Sequence, residues 1–127
     1  MIGLAAGGGS PALLPRLLPP GKAMQMLMTG QPITAQEAYR LGMVNELYPV
    51  SELRAAALRI AETIAGNSPT AVEAAKRAVR LGEGETLEQA IAIMMDNHWR
   101  SAVHPDRSEG IQAFNENRDP VFQDADY

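Results

Sequence analysis

The chain has 127 residues, 46% of them hydrophobic but only 5% aromatic, with 20% charged residues and a formal net charge of −4. That length holds one ordinary domain, the Ala- and Met-rich apolar content favours packed helices over a sheet core, and the acidic balance argues against nucleic acid or an anionic membrane as the main partner. The absence of cysteine excludes disulfides and thiolate metal sites, and without a membrane-length apolar run or a secretory-type leader the expected location is cytoplasmic.

The sequence opens on Gly3-Leu4-Ala5-Ala6-Gly7-Gly8-Gly9-Ser10. Glycines leave backbone N–H groups uncovered, so a ligand oxygen can approach them, and a following helix adds a positive dipole end. Three consecutive glycines also make a tight turn. Neither a preceding strand nor a Gly-Lys-Ser/Thr or Gly-x-Gly-x-x-Gly signature chooses between the two uses. Prolines 11, 15, 19 and 20 limit the next stretch to short helical turns. An apolar helix, Ala23 to Met28, follows and is closed by Thr29-Gly30. Thr34-Ala35-Gln36-Glu37 forms a capping box, which predicts a helix from Ala35 to the stop at Gly42. Met43 to Tyr48, bounded by Gly42 and Pro49, is the one plausible strand. A single strand keeps its backbone groups unpaired unless another chain or segment supplies the partner.

Everything after Pro49 reads as helix. Ser51 is expected to cap a helix with Leu53, Ala57, Ile60, Ala61 and Ile64 on one face, ending at Gly66-Asn67. Ser68-Pro69 starts the next, with Val72, Ala75 and Val79 as its stripe and Leu81-Gly82 as its end. Thr86 to Gln89 is a second capping box, leading a long helix expected to bury Leu87, Ile91, Met94, Met95, His98 and Ala102. Pro105-Asp106 caps a final helix carrying Ile111 and Phe114, which Asp119-Pro120 ends, and residues Gln123 to Tyr127 are expected to fray. The helices differ in length and caps, so there is no internal repeat.

Few residues offer chemistry on their own. His98 and His104 are too far apart for one helical face, and no carboxylate stands at a ligand spacing, so no metal site is predicted. His98 reads as a hydrogen-bonded core or interface residue and His104 as a loop residue. Ser10 and Ser68 lack a base, and Ser68 reads as a cap. Glu83 with Glu85, and Glu109 with Glu116, read as solvated carboxylates. The methionines at 24, 26, 28, 94 and 95 fill a core or line an acyl pocket.

The order of these pieces resembles the C-terminal half of the crotonase family, the enoyl-CoA hydratases and isomerases. Four stretches carry the resemblance: the Gly3 to Gly9 loop with Leu14-Pro15-Arg16-Leu17; Ala23 to Gly30 with Ile33 to Ala38; Gly42-Met43-Val44-Asn45-Glu46; and Ser108 to Phe114 with Asn117-Arg118-Asp119-Pro120. Between Ser51 and Val103 the likeness is one of pattern, anchored by Asn67-Ser68-Pro69. The resemblance implies a mainly α chain, the helical C-terminal part of a ββα-spiral fold with at most one or two short strands. It divides the chain into residues 1–50, the end of the spiral core, and 51–127, a helical subdomain covering an acyl-CoA site and driving assembly.

The resemblance also implies a chemistry. Family members stabilise an enolate-like thioester with two backbone N–H donors, and hydratases position a water with two glutamates; those groups are expected upstream of Met1. Gly7 matches the glycine whose backbone N–H helps hold the water or acyl group, and Ala5, Ala6 and Gly8 would line the same pocket. His98 and Trp99 lie near an aromatic contact for CoA. Where the family commonly has Glu-Lys-Arg this chain has Glu116-Asn117-Arg118, so the lysine that contacts the CoA phosphate is replaced, and Arg118 is the candidate substitute. No metal and no cofactor beyond the coenzyme A thioester substrate are implied. The expected assembly is a homo-oligomer, trimer-type or a swapped dimer. Two readings follow: part of an enzyme that hydrates 2-enoyl-CoA but is not competent in isolation, or a helical oligomerisation module without chemistry.

Overall fold

In the computed structural model, which describes residues 4–123, seven helices follow one another: α1 (Ser10–Leu17), α2 (Pro20–Thr29), α3 (Ala35–Arg40), α4 (Val50–Ala65), α5 (Pro69–Gly82), α6 (Leu87–Ala102) and α7 (Pro105–Glu116). No strand occurs among the described residues. Met43 to Tyr48, expected as a strand, is instead a bend running into irregular chain. No second strand lies beside it to answer its backbone groups, and a lone extended segment gains no ladder hydrogen bonds. The chain separates into two units, residues 1–56 and 57–127, with the dividing line inside α4.

In the first unit α1 packs on α2. The prolines restrict the chain less than expected, because α1 continues through Pro15 for 8 residues with a second proline in its first turn. Leu18 and Ala23 are buried. The helix α2 ends at Gly30, whose φ of 69° is the left-handed conformation that closes a helix without a Cβ penalty. Thr34 caps α3 by accepting from the Glu37 N–H at 3.1 Å, while the Glu37 carboxylate meets Lys22 Nζ at 2.7 Å and ties α3 to α2.

The second unit is organised by the α5–α6 pair. Ser68 caps α5 through the Ala71 N–H, and both hydrogen bonds of the Thr86–Gln89 capping box open α6. The apolar stripes read from the sequence meet the α5–α6 contact only in part, through Ala75, Met94 and His98. Leu87 is 78% and Val79 75% exposed, and Ile91, Met94 and Met95 lie open as well. The alanine face of α5 carries the rest of the contact: Ala71, Ala74, Ala75 and Ala78 border the same crevice as Met94, Asn97, His98 and Ser101 of α6. Small side chains let two helix backbones approach closely, so they win the contact between this pair, and Asn97 becomes the buried residue of α6. Two capping assignments also change. Helix α4 begins at Val50, with the Pro49 carbonyl accepting from Glu52 and Leu53, so Ser51 sits in the first turn rather than at the cap. The cap of α7 is His104, whose Nδ1 accepts from the Asp106 N–H, and the helix stops at Asn117 in the left-handed conformation, before Asp119-Pro120.

Candidate functional site

Gly3 lies outside the described residues; Leu4 to Gly9 form an exposed loop. The two later glycines are required by backbone geometry. Gly8 and Gly9 have φ of 62° and 86°, a region that a Cβ disfavours. Gly9 is the N-cap of α1, and its carbonyl accepts from Ala12 and Leu13 at 3.0 and 2.9 Å. The Gly7 carbonyl accepts from Ser10 through its N–H at 3.4 Å and its hydroxyl at 2.9 Å. Pro11 has no N–H, so the first-turn donors of α1 are absent or already used within the loop.

Gly7 itself is different. Its φ lies outside the left-handed region, and a Cβ built on it would meet nothing within 4 Å. Neither turn geometry nor packing calls for glycine there. What glycine does at such a position is leave its N–H uncovered on the approach side, at the positive end of α1. The N–H groups of residues 5–9 donate to no described atom. Ala5, Ala6, Gly7 and Gly8, the four residues singled out in this stretch, therefore sit together on one open strip of backbone.

The other singled-out residues belong to the second unit. His98 and Trp99 are consecutive on α6, with ring centroids 5.6 Å apart and planes at 70°, an edge-to-face pair. Trp99 is 61% exposed and His98 borders the α5–α6 crevice rather than a core. Arg118 is closed in an ion-pair network. Its guanidinium forks onto both Glu109 carboxylate oxygens at 2.6 and 3.0 Å, donates to Glu116 at 2.6 Å and reaches the Asp119 carbonyl. The Arg118 guanidinium, with the Val121 N–H at 2.7 Å, holds the Glu109 carboxyl down at about 2. Gln112 and then Arg118 lower Glu116, and Arg118 is itself raised, chiefly by Glu109. Glu109 and Glu116 are thus salt-bridged carboxylates rather than the free solvated pair expected, and a phosphate would have to compete with them for Arg118.

One polar centre was not singled out from the sequence. Asp106, 4% exposed, accepts from the Ser68 hydroxyl at 2.6 Å and from the Gln123 N–H at 3.1 Å. The Ser68 hydroxyl is the main reason its carboxyl lies below the usual range, helped by the Gln123 N–H against the opposing cost of burial. Gln123, expected to fray, is held by this bond; residues 124–127 lie outside the described residues. His104 Nδ1 accepts the Asp106 N–H, so Ser68, Asp106 and His104 form a capping knot and not a nucleophile relay. No group of three or more His, Asp or Glu side chains suited to a metal occurs among the described residues.

Residues 1–125 match the family model described as "Enoyl-CoA hydratase/isomerase". The chain is 35% identical over 126 residues to the carnitinyl-CoA dehydratase of Salmonella heidelberg (strain SL476), covering 96% of this chain and 48% of that protein. The crystal structure of an enoyl-CoA hydratase from Bacillus anthracis superposes with a TM-score of 0.93 at 36% identity, over 98% of this chain and 48% of the other. An enoyl-CoA hydratase from Mycobacterium tuberculosis H37Rv gives a TM-score of 0.90 at 35% identity, over 97% and 49% of the two chains. The chain spans about half the length of the curated relatives it matches.

Proposed function

The chain belongs to the enoyl-CoA hydratase/isomerase family, and we propose that it supplies the glycine-loop wall and helical cover of an acyl-CoA site whose complete form adds water to a 2-enoyl-CoA. The observation that carries this reading is Gly7, where a glycine that neither space nor φ requires leaves an N–H open beside the start of α1. An N–H in that position serves an oxyanion or a polarised water. Ala5, Ala6 and Gly8 border it with little bulk. Trp99 offers an exposed aromatic face for an adenine or acyl group. Among the described carboxylates, Asp106, Glu109 and Glu116 are occupied by structural hydrogen bonds. A lowered carboxyl is a weak base at neutral pH, so none of the three is suited to deliver or take the proton of hydration. The isolated chain is proposed to be inactive.

The test is a chimera in which the N-terminal half of the Bacillus anthracis hydratase precedes this chain, assayed with a short 2-enoyl-CoA. Turnover by the chimera and none by the isolated chain is the expected result. Robust turnover by the isolated chain would overturn the claim of incompetence, and an inactive but folded chimera would overturn the assignment to hydration.

The outward apolar side chains favour a second reading, a helical assembly module. Phe114 and Val103 are each 82% exposed, and faces of that kind are covered by another surface in stable proteins. Both readings predict a homo-oligomer. Measurable coenzyme A affinity in the isolated chain would favour the acyl-CoA wall, and self-association without it the module.

A further inference from the structure

A cleft in the second unit lies between the end of α4 and one face of α5, with a volume of about 760 Å³. That is the size of a small-molecule site. Its apolar lining comes from Ile64, Val72 and Leu81, and three cations, Lys76, Arg77 and Arg80, border it against a single carboxylate, Glu73. The spacing explains the arrangement: positions 69, 72, 73, 76, 77, 80 and 81 fall on one face of α5, opposite the alanine face that meets α6. The positive charge is largely unanswered. Arg77 reaches Glu73 only at 3.9 Å, and Lys76 and Arg80 form no ion pair among the described residues. By contrast, Arg100 is paired with Asp96 at 2.9 Å and Arg118 with two glutamates.

We propose that this cleft binds a small amphiphilic anion: an acyl chain laid on Ile64, Val72 and Leu81, its carboxylate or phosphate head held by Lys76, Arg77 and Arg80. The apolar lining excludes a bare inorganic ion as the best occupant, because an ion would leave that surface uncovered. The three cations exclude an uncharged hydrocarbon for the opposite reason. The site shares no residue with the glycine loop or with Trp99, the groups on which the acyl-CoA reading rests. The head group can belong to a free carboxylate or to a lipid at a bilayer surface, and the experiment separates them.

Octanoate titrated into the isotope-labelled chain should shift the amide signals of residues 64–81 saturably, while 1-octanol and inorganic phosphate each bind about tenfold more weakly, lacking one half of the recognition. The double variant Lys76→Gln/Arg80→Gln should lose about tenfold in octanoate affinity, with binding to the wild type weakening as salt rises. Both replaced side chains are exposed, and unchanged circular dichroism checks the fold; the single variant Arg80→Gln, with a smaller loss, serves if the double one unfolds. Sedimentation with phosphatidylglycerol vesicles, but not phosphatidylcholine vesicles, identifies a lipid head group as the source. The proposal is overturned if neither octanoate nor anionic vesicles bind, if the variants bind as the wild type does, or if 1-octanol matches octanoate. It is equally overturned if the same signals shift with protein concentration alone, which would make a second copy the occupant.

Discussion

The glycine loop before α1 and the start of α7 are both helix entrances with polar backbone to satisfy, and they do it in opposite ways. At α7 the chain answers itself: His104 takes the Asp106 N–H, and the Asp106 carboxylate takes Ser68 from the start of α5 and Gln123 from the tail. The Ser68 hydroxyl, the His104 ring and the backbone N–H of Gln123 converge on one buried residue. At α1 there is no side-chain cap, Gly9 turns the chain by a left-handed φ, and the N–H groups of residues 5–9 donate to no described atom. The first arrangement spends its donors on stability, whereas the second keeps them available. Substitutions at the two entrances should therefore differ in kind, with stability lost at the first and ligand chemistry lost at the second.

The largest effect is expected from Asp106→Ala, which removes the acceptor for Ser68 and Gln123 at a site 4% exposed. Hydrogen bonds to a buried charged group are worth about 1.5–3 kcal/mol each before the chain relaxes, so a loss of about 3 kcal/mol is expected. Urea unfolding measures it; a change below about 1 kcal/mol would show that the knot is ornamental and remove the contrast. A smaller and graded loss should come from acid. Glu109 lies at about 2 instead of 4.5, held down first by Arg118, and Asp106 also lies below its ordinary value. A lowered carboxyl stabilises the fold above its unfolded pKa and loses that contribution as pH falls through its folded one. Stability of α7 and its tail should decline from about pH 4.5 towards about 2, seen as lower amide protection in residues 104–123 relative to the intrinsic exchange rate at each pH. A Glu109 carboxyl titrating near 4.5 by NMR would break the inferred ion pair.

Much of this was legible in the chain, and the division between legible and hidden follows the range of the interactions. Thr34, Ser68 and Thr86 cap helices as their local spacing predicts, because a cap is decided within a turn. The glycine loop was legible only as a choice between a tight turn and an open backbone, because no neighbouring signature decides it. Which apolar stripe is buried was not. On α6 the expected stripe divides: Leu87, Ile91 and Met95 lie exposed, while Met94 and His98 border the crevice beside Asn97 and Ser101, against the alanine face of α5. Periodicity finds a face and says nothing of its partner. Asp106 escaped for the converse reason: Ser68 is 38 residues away, and nothing near Asp106 in sequence marks it as a buried acceptor.

Within the loop itself the comparison can be sharpened by Gly9→Ala. At a φ of 86° a Cβ costs about 1 kcal/mol, and the neighbouring Leu13 side chain at 3.5 Å adds no more than ordinary contact. The loss should appear in urea unfolding as a lowered midpoint with an unchanged slope. A neutral result would mean that the loop adopts another conformation, and the open N–H groups would have to be placed again.

The smallest effect on stability is expected at Gly7, and it is the most telling. With no positive φ and no atom within 4 Å of an added Cβ, Gly7→Ala should leave stability unchanged or raise it by about 0.5 kcal/mol through a less flexible unfolded chain. The same substitution in the chimera should lower turnover, since a methyl beside the N–H obstructs the approach of a ligand oxygen, and Gly7→Pro, which deletes the donor, should lower it further. If Gly7→Ala destabilises by as much as Gly9→Ala, the glycine is a folding requirement and the loop is a turn. If both chimera variants keep full turnover, the N–H at residue 7 holds nothing, and the acyl-CoA site must be sought on other backbone. Stability kept with activity lost is the one combination that a purely structural glycine cannot produce.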